Sequence, residues 1–462
     1  MSDRITLPPK TPYFTWRNPN FRALVYQTLL IFAVLFFSLY ILANTFRNLQ
    51  VRGISSGFSF LGNEAGFGIA ETMPIPMLDS GFIYFLLSLV MGLVLLVGFN
   101  RWLTRNGKTI SEDYRYLLTG MALLFGIPIV TFYLTRDTFE VKVFNESQSY
   151  ALALMTGIFN TIKVSLIACT LATIIGFLIG IARLSSNWLV NLLAATYIEI
   201  IRNIPLLLQI FFWYFAVIQA LPNVKNSLRL GENFILNNRG IIIPEPFATS
   251  AFHPFVLFLF LSLALIFFWN RYVGIRRDQT GEQLPVLLPS VAILIVLPGL
   301  IWLILGSPFR FTQPRLAGFN FQGGMVFTPE FASMLFALSM YHASFIAETV
   351  RSGIQAVSKG QKEAASALGL RSGLVMRLVV IPQALRVIIP PLASQYLNIT
   401  KNSSLGIAIA YMEMVAVGGT ILNQSGQAIE VIAIWMLVYA IISLTISMFM
   451  NWYNEKMKLV ER

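Results

Sequence analysis

The sequence predicts an all-α fold, a polytopic transmembrane helical bundle of about ten spans. Three observations carry this expectation. The chain of 462 residues is 56% hydrophobic and only 12% charged, whereas a soluble domain carries about 25% charged residues. Its mean hydropathy is +0.70, an apolar surplus that only lipid can accept. Finally, the apolar residues gather into stretches of the length a helix needs to cross a bilayer, and Lys and Arg are distributed unevenly between those stretches.

The candidate spans are roughly 22–43, 82–99, 115–135, 154–182, 190–220, 253–269, 285–306, 329–350, 388–415 and 431–451. With both termini inside, 21 of the 33 Lys and Arg residues fall in cytoplasmic segments and nine in outer ones, as the positive-inside rule requires. That bias accounts for the net charge of +12. No basic domain with interleaved aromatics is present, so no nucleic-acid partner is expected. The first apolar stretch is too long for a cleavable signal and reads as a retained anchor. Segments 44–81, 221–252 and 307–328 are rich in Gly, Asn, Ser and Pro and read as wet outer loops. A single cysteine, Cys169, forms no intrachain disulfide. His253 and His342 are too scattered for a metal site and read as ordinary helix residues. Residues 106–109 read Asn-Gly-Lys-Thr, but Trp102 stands where a phosphate loop needs its first glycine, so ATP hydrolysis by that device is excluded.

The longest cytoplasmic connection, between the eighth and ninth spans, is patterned. Ser358 and Gln361 have the spacing of a capping box. Glu363 is expected in the first turn, where the helix dipole favours an acid. Ala364, Ala365, Ala367 and Leu368 favour a short helix, and Gly369 stands where a left-handed cap is wanted. A second short helix, Ser372 to Val380, is expected to stop near Pro382. The pattern alone fits two roles equally: docking into a groove on another protein, or resting on the lipid surface.

Glu363-Ala364-Ala365, followed at fixed spacing by Gly369 and Val379-Val380-Ile381-Pro382, resembles the EAA loop of binding-protein-dependent ABC transporter permeases. Val379 and Ile381 are mild departures from it. Tyr197 to Phe215, Tyr341 to Ile354 and Lys401 to Leu405 resemble the polar amino acid (histidine, glutamine and arginine type) permeases. The resemblance covers a five-span ABC importer permease core in two pieces, about 155–220 and 329–455. The longer layout resembles the long permease subunits of general L-amino acid transporters. It implies four parts: a three-span extension at 1–150, a first core part at 151–220, an outer loop with a two-span insertion at 221–328, and a second core part at 329–462 containing the coupling loop 357–382.

The resemblance also implies partners. An ABC ATP-binding subunit dimer uses ATP and Mg, this chain carrying no cofactor. A second homologous permease subunit and a periplasmic amino acid-binding protein complete the assembly in a bacterial inner membrane. On this reading Glu363, Ala364, Ala365, Gly369 and Pro382 couple the ATPase to the spans. The alternative is a stand-alone ion-coupled secondary amino acid transporter.

Charged and polar residues inside spans are costly and call for an explanation. Glu199 and Arg202, three apart, read as a charge pair that either gates or only neutralises. Asn203 and Pro205 follow, Pro205 freeing a carbonyl, and Gln209 is placed to face the pathway. Glu348 and Arg351 repeat the spacing beside the coupling loop. Lys401, Asn402, Ser403 and Ser404 suit interhelical hydrogen bonds, a wet cavity or gating, and the Lys401 ammonium has two candidate partners, the carboxylate of Glu413 or that of an amino-acid substrate. Lys163 poses the same question. Gly176 and Gly180 form a GxxxG, read as close helix packing or a dimer face.

Overall fold

In the computed structural model the described residues are Trp16, 18–51, 57–76, isolated positions between 91 and 102, 141–231, 233–282 and 284–457. The expected spans 82–99 and 115–135 lie outside them apart from those isolated positions.

The helices are α1 (Pro19–Val51), α2 (Tyr150–Ala182), α3 (Trp188–Asn203), α4 (Leu206–Phe211, continued by a π turn at Phe212–Ile218), α5 (Phe252–Thr280) and α6 (Leu287–Leu305). They continue as α7 (Pro329–Gln355), α8 (Lys359–Ala367), α9 (Ser372–Val375, with a π turn at Met376–Val380), α10 (Ile381–Asn402), α11 (Met414–Ser425) and α12 (Ala428–Met457). Among the described residues six helical stretches are long and apolar enough to cross a membrane, and α3 with α4 makes a seventh, broken by 106°. The expected span at 329–350 is α7, which is not among the six. Its Ser333, Ser339, His342 and Ser344 are buried. A helix ringed by other helices needs less apolar surface than one that faces lipid.

Small residues let α2 and α7 approach closely. A Cβ placed on Gly176 would lie 2.7 Å from the Cβ of Ile346, and one on Gly180 would lie 2.7 Å from the carbonyl oxygen of Ala347. The GxxxG therefore faces an intrachain crossing and is not available as a dimer face. Gly353 of α7 is similarly filled by Ile388 of α10, and Gly157 of α2 abuts Met414 of α11. Around these contacts Val164, Ala168, Ala172, Leu338, Ile346, Val350, Ile388 and Ile399 form the buried core.

The ninth expected span, 388–415, is not one helix. Following α10, a tight 3-10 stretch (Ser403–Ile409) ends at Ala410 with φ 60°, and the chain re-enters as α11. The outer segments also hold more order than turn-rich loops. Short strands β1 (Ile75–Pro76) and β2 (Val141–Lys142) pair. Strands β3 (Leu228–Leu230), β4 (Phe234–Asn237), β5 (Gly240–Ile243) and β10 (Met325–Phe327) form an antiparallel sheet in the order β10-β5-β4-β3. Two more hairpin-like pairs, β6 (Glu245–Ala248) with β7 (Phe309–Thr312) and β8 (Arg315–Ala317) with β9 (Asn320–Gln322), flank α5 and α6. Ile235 and Ile242 are buried in the four-stranded sheet, and β10 leads through Thr328 into α7, so the sheet is tied to the core.

Because Gly180 touches backbone as well as side chain, Gly180→Val should destabilise the bundle by about 1–3 kcal/mol. A lowered unfolding temperature of the detergent-solubilised protein checks this; an unchanged one contradicts the packing described.

Candidate coupling site and translocation core

The coupling segment is an exposed helix–turn–helix pinned from within. Ala365 is buried and packs in the core cluster with Val357, Val375 and Val380. Glu363, Ala364 and Leu368 face outward, Leu368 with 82% of its surface exposed. The motif residues thus divide: one alanine anchors the helix, and its neighbours present a surface. Gly369 has φ +78° with open space around it. Its N–H donates to the Ser366 carbonyl at 2.9 Å and that of Leu370 to the Ala365 carbonyl at 3.3 Å, the paired bonds of a Schellman turn.

Three local expectations are corrected. The Ser358 hydroxyl makes no cap bond, and the Gln361 Oε1 accepts instead from Gln383 Nε2 at 3.4 Å, so no capping box forms. Because α8 starts at Lys359, Glu363 lies beyond its first turn. Pro382 does not stop the second helix. The π turn at Met376–Val380 shifts the hydrogen-bond register just ahead of it, and Pro382 falls in the opening turn of α10, where its missing N–H is harmless.

Glu348 and Arg351 do pair. Arg351 Nε donates to Glu348 Oε2 at 3.0 Å and Nη2 to Oε1 at 2.5 Å, while Nη1 reaches Gln355 at 2.7 Å. This planar fork braces the last turns of α7 where the coupling segment leaves it.

Glu199 and Arg202 do not form an ion pair; both are exposed. Arg202 lies over the Phe345 ring, 4.9 Å from its centroid, in cation–π geometry. Asn203 is exposed at the break. Pro205, without an N–H, leaves carbonyls of α3 unpaired, and Gln209 fills that need. Its Nε2 donates to the carbonyls of Ile201 and Ile204, both at 2.9 Å. Gln209 is buried and serves the broken backbone, which corrects its expected role facing the pathway.

At the α10 break, Lys401 is exposed and Glu413 is not its partner. Glu413 is fully buried and caps α11: its Oε1 accepts from the Ala416 N–H at 2.9 Å, and its Oε2 from Thr161 Oγ1 at 3.4 Å. Ser403 and Ser404 donate to the carbonyls of Thr400 and Lys401, within their own turn, at 2.7 and 2.8 Å, beside the Tyr439 hydroxyl of α12. Asn402 reaches across to α7, its Nδ2 lying 3.2 Å from His342 Nε2. The other ring nitrogen of His342 is 3.0 Å from Gln395 Oε1. His342, buried on α7, thus joins two turns of α10. Sequence spacing gave no sign of this, because its partners lie 53 and 60 residues away.

Glu71 was also missed. It lies in the segment 57–76 and pairs with Lys163 Nζ at 2.5 Å. It also accepts from Thr328 Oγ1 at 2.7 Å. Its polar, glycine-rich surroundings resemble any outer loop, so only the unexplained Lys163 hinted at a partner.

Broken helices surround a buried polar core that is joined at one end to an exposed helical turn. Residues 283–458 match the family described as the binding-protein-dependent transport system inner membrane component. The chain is 46% identical over 377 residues to the general L-amino acid transport system permease protein AapQ of Rhizobium johnstonii, covering 81% of this chain and 92% of that one. It is 40% identical to the putative amino-acid ABC transporter permease protein YhdX of Escherichia coli K12, over 97% of both chains. A solved structure, titled as an amino acid ABC transporter with histidines, aligns with a TM-score of 0.40 and 20% identity, over 66% of this chain and 95% of that one. The chain belongs to the family of inner-membrane permease components of binding-protein-dependent transport systems, and it is a multi-pass membrane protein.

Gln209→Leu should strip the α3 carbonyls of their buried donors and destabilise the fold by about 1–3 kcal/mol. A thermal-shift measurement on the purified variant checks this, and an unchanged transition contradicts the capping role.

Proposed function

We propose that this chain is the membrane-spanning permease subunit of an ATP-driven importer of polar or general L-amino acids. The observation that carries the reading is the anchored but outward-facing helix Lys359–Ala367, with its left-handed turn at Gly369. A helix held by one buried alanine and offering Glu363, Ala364 and Leu368 to solution is shaped to be gripped by another protein. The names of the relatives, among them general L-amino acid permeases, support the substrate class.

In this reading an ATP-binding subunit dimer, using ATP and Mg, closes on the coupling segment. The displacement passes through Ala365 and the Glu348–Arg351 fork into α7, and through Pro382 into α10. A second homologous permease subunit completes the pathway, and a periplasmic binding protein delivers the amino acid. Both termini lie in the cytoplasm, as the Lys and Arg distribution favours. The Pro205 break, Asn203 and the Lys401–Asn402–Ser403–Ser404 turn are the places where the bundle bends. Residues 1–150 and 221–328 add spans around the core of 151–220 and 329–462.

The test is uptake in proteoliposomes holding the permease, its ATPase and the binding protein. Wild-type uptake should require ATP. Gly369→Val, a β-branched residue forced into a left-handed conformation that costs about 1–2 kcal/mol or more, should cut uptake at least about tenfold with membrane insertion intact. Accumulation driven by an ion gradient without the ATPase would overturn the reading.

A further inference from the structure

Lys163 sits on α2 at the end of the bundle far from the coupling segment. The distance is set by α7, whose 27 residues span about 40 Å at 1.5 Å per residue. Its ammonium meets an aromatic ring and a carboxylate, and that carboxylate's residue is held by two further groups. The Phe331 ring lies beneath it, 4.7 Å to the centroid. The Glu71 carboxylate lies against it at 2.5 Å. That carboxylate also accepts from the Thr328 hydroxyl at 2.7 Å and the Thr328 N–H at 3.3 Å. One turn back on α2, Asn160 Nδ2 donates to the Glu71 carbonyl at 3.0 Å and to the Met412 carbonyl at 2.9 Å.

The receptor and its occupant belong to different parts of the chain. Lys163 and Asn160 are on α2, and Thr328 and Phe331 open α7. Glu71 comes from the separate segment 57–76, which packs through Phe60, Ala65 and Ile69 in a cluster with Leu152 and Leu154 of α2 and Val417 and Ile421 of α11. An ammonium, a hydroxyl and a backbone N–H converging on one carboxylate form a charge-assisted anion site. Asn160 is fully buried, yet its Oδ1 has no hydrogen-bond partner. An ammonium held beside the carboxylate would supply that acceptor with a donor. The site also abuts the break between α10 and α11: Tyr411 donates to the Asn160 carbonyl at 3.1 Å, and Thr161 contacts the Glu413 cap.

We propose that Lys163, Thr328, Phe331 and Asn160 form a binding site for the carboxylate and ammonium of an α-amino acid, and that Glu71 is its resident occupant, displaced by substrate during transport. The proposal rests on the importer reading above. Glu71 then sets a threshold, since a ligand must compete with a carboxylate already in place and its apparent affinity falls by the fraction of time the site is free.

The experiment is uptake by the full reconstituted assembly of radiolabelled L-glutamate, L-glutamine, L-histidine and L-arginine. For whichever is transported, its α-amide, which lacks the carboxylate, serves as competitor. Glu71→Gln should lower KM by about tenfold, the site being vacated. Lys163→Met should raise it by at least about tenfold for loss of a charge-assisted contact, with Lys163→Arg retaining transport. The α-amide should fail to compete. The double exchange Glu71→Lys with Lys163→Glu separates the roles: a structural ion pair is restored by it, whereas a carboxylate site is not. Transport recovered by the exchange, or a KM unmoved by Glu71→Gln, would overturn the site while leaving the importer reading intact. ATP-dependent uptake of none of the four by wild type would overturn that reading and the site with it.

Discussion

The crossing of α2 and α7 is the contact on which the rest of the structure depends. Gly176 and Gly180 bring the two helices to a separation that a single added carbon would prevent. Within a bilayer there is little hydrophobic gain in moving an apolar side chain from lipid to protein, so close backbone approach and dispersion supply the association. The alternation of small residues on both helices fits this need. It also makes the pair rigid, and α7 becomes a rod with Thr328 and the outer sheet at one end and the Glu348–Arg351 fork at the other.

Against the rod pack two broken spans, one interrupted at Pro205 and one at Ala410, and each break is paired locally. Gln209 takes the carbonyls that Pro205 leaves free, Glu413 caps α11, and Ser403 and Ser404 return their hydroxyls to their own turn. A break whose polar groups were left bare in hydrocarbon would cost several kcal/mol per group. The polar residues of the spans therefore fall into two kinds. Some serve the backbone, as Gln209 and Glu413 do. Others join separate elements, as His342, Asn402, Lys163 and Glu71 do.

Much of this architecture was legible in the sequence because it follows from local chemistry. Apolar stretches gave the helices, Gly369 gave a left-handed turn, and the Glu348–Arg351 spacing gave a real pair. The errors have a common origin. Glu199 and Arg202 have the same spacing, but the Phe345 ring on α7 offers Arg202 another partner. The capping box at Ser358 lost Gln361 to Gln383, from the far side of the turn. The span at 388–415 is continuous in hydropathy, yet it is broken at Ala410 because Tyr411 and Glu413 are drawn into the α2–α11 contact. Glu71 and His342 could not be read at all, since what gives each its meaning is a residue brought close only by the fold.

The central claim is that the Lys359–Ala367 helix is the point at which an outside protein drives the bundle. Cross-linking from a single cysteine at Leu368, in a chain whose native Cys169 has been replaced by serine, tests it most directly. In membranes containing the whole assembly, Leu368→Cys is expected to cross-link to a nucleotide-binding subunit, with a yield that changes when ATP is added. Labelling of that cysteine from the outer face, or cross-links to lipid alone with and without ATP, would contradict the account.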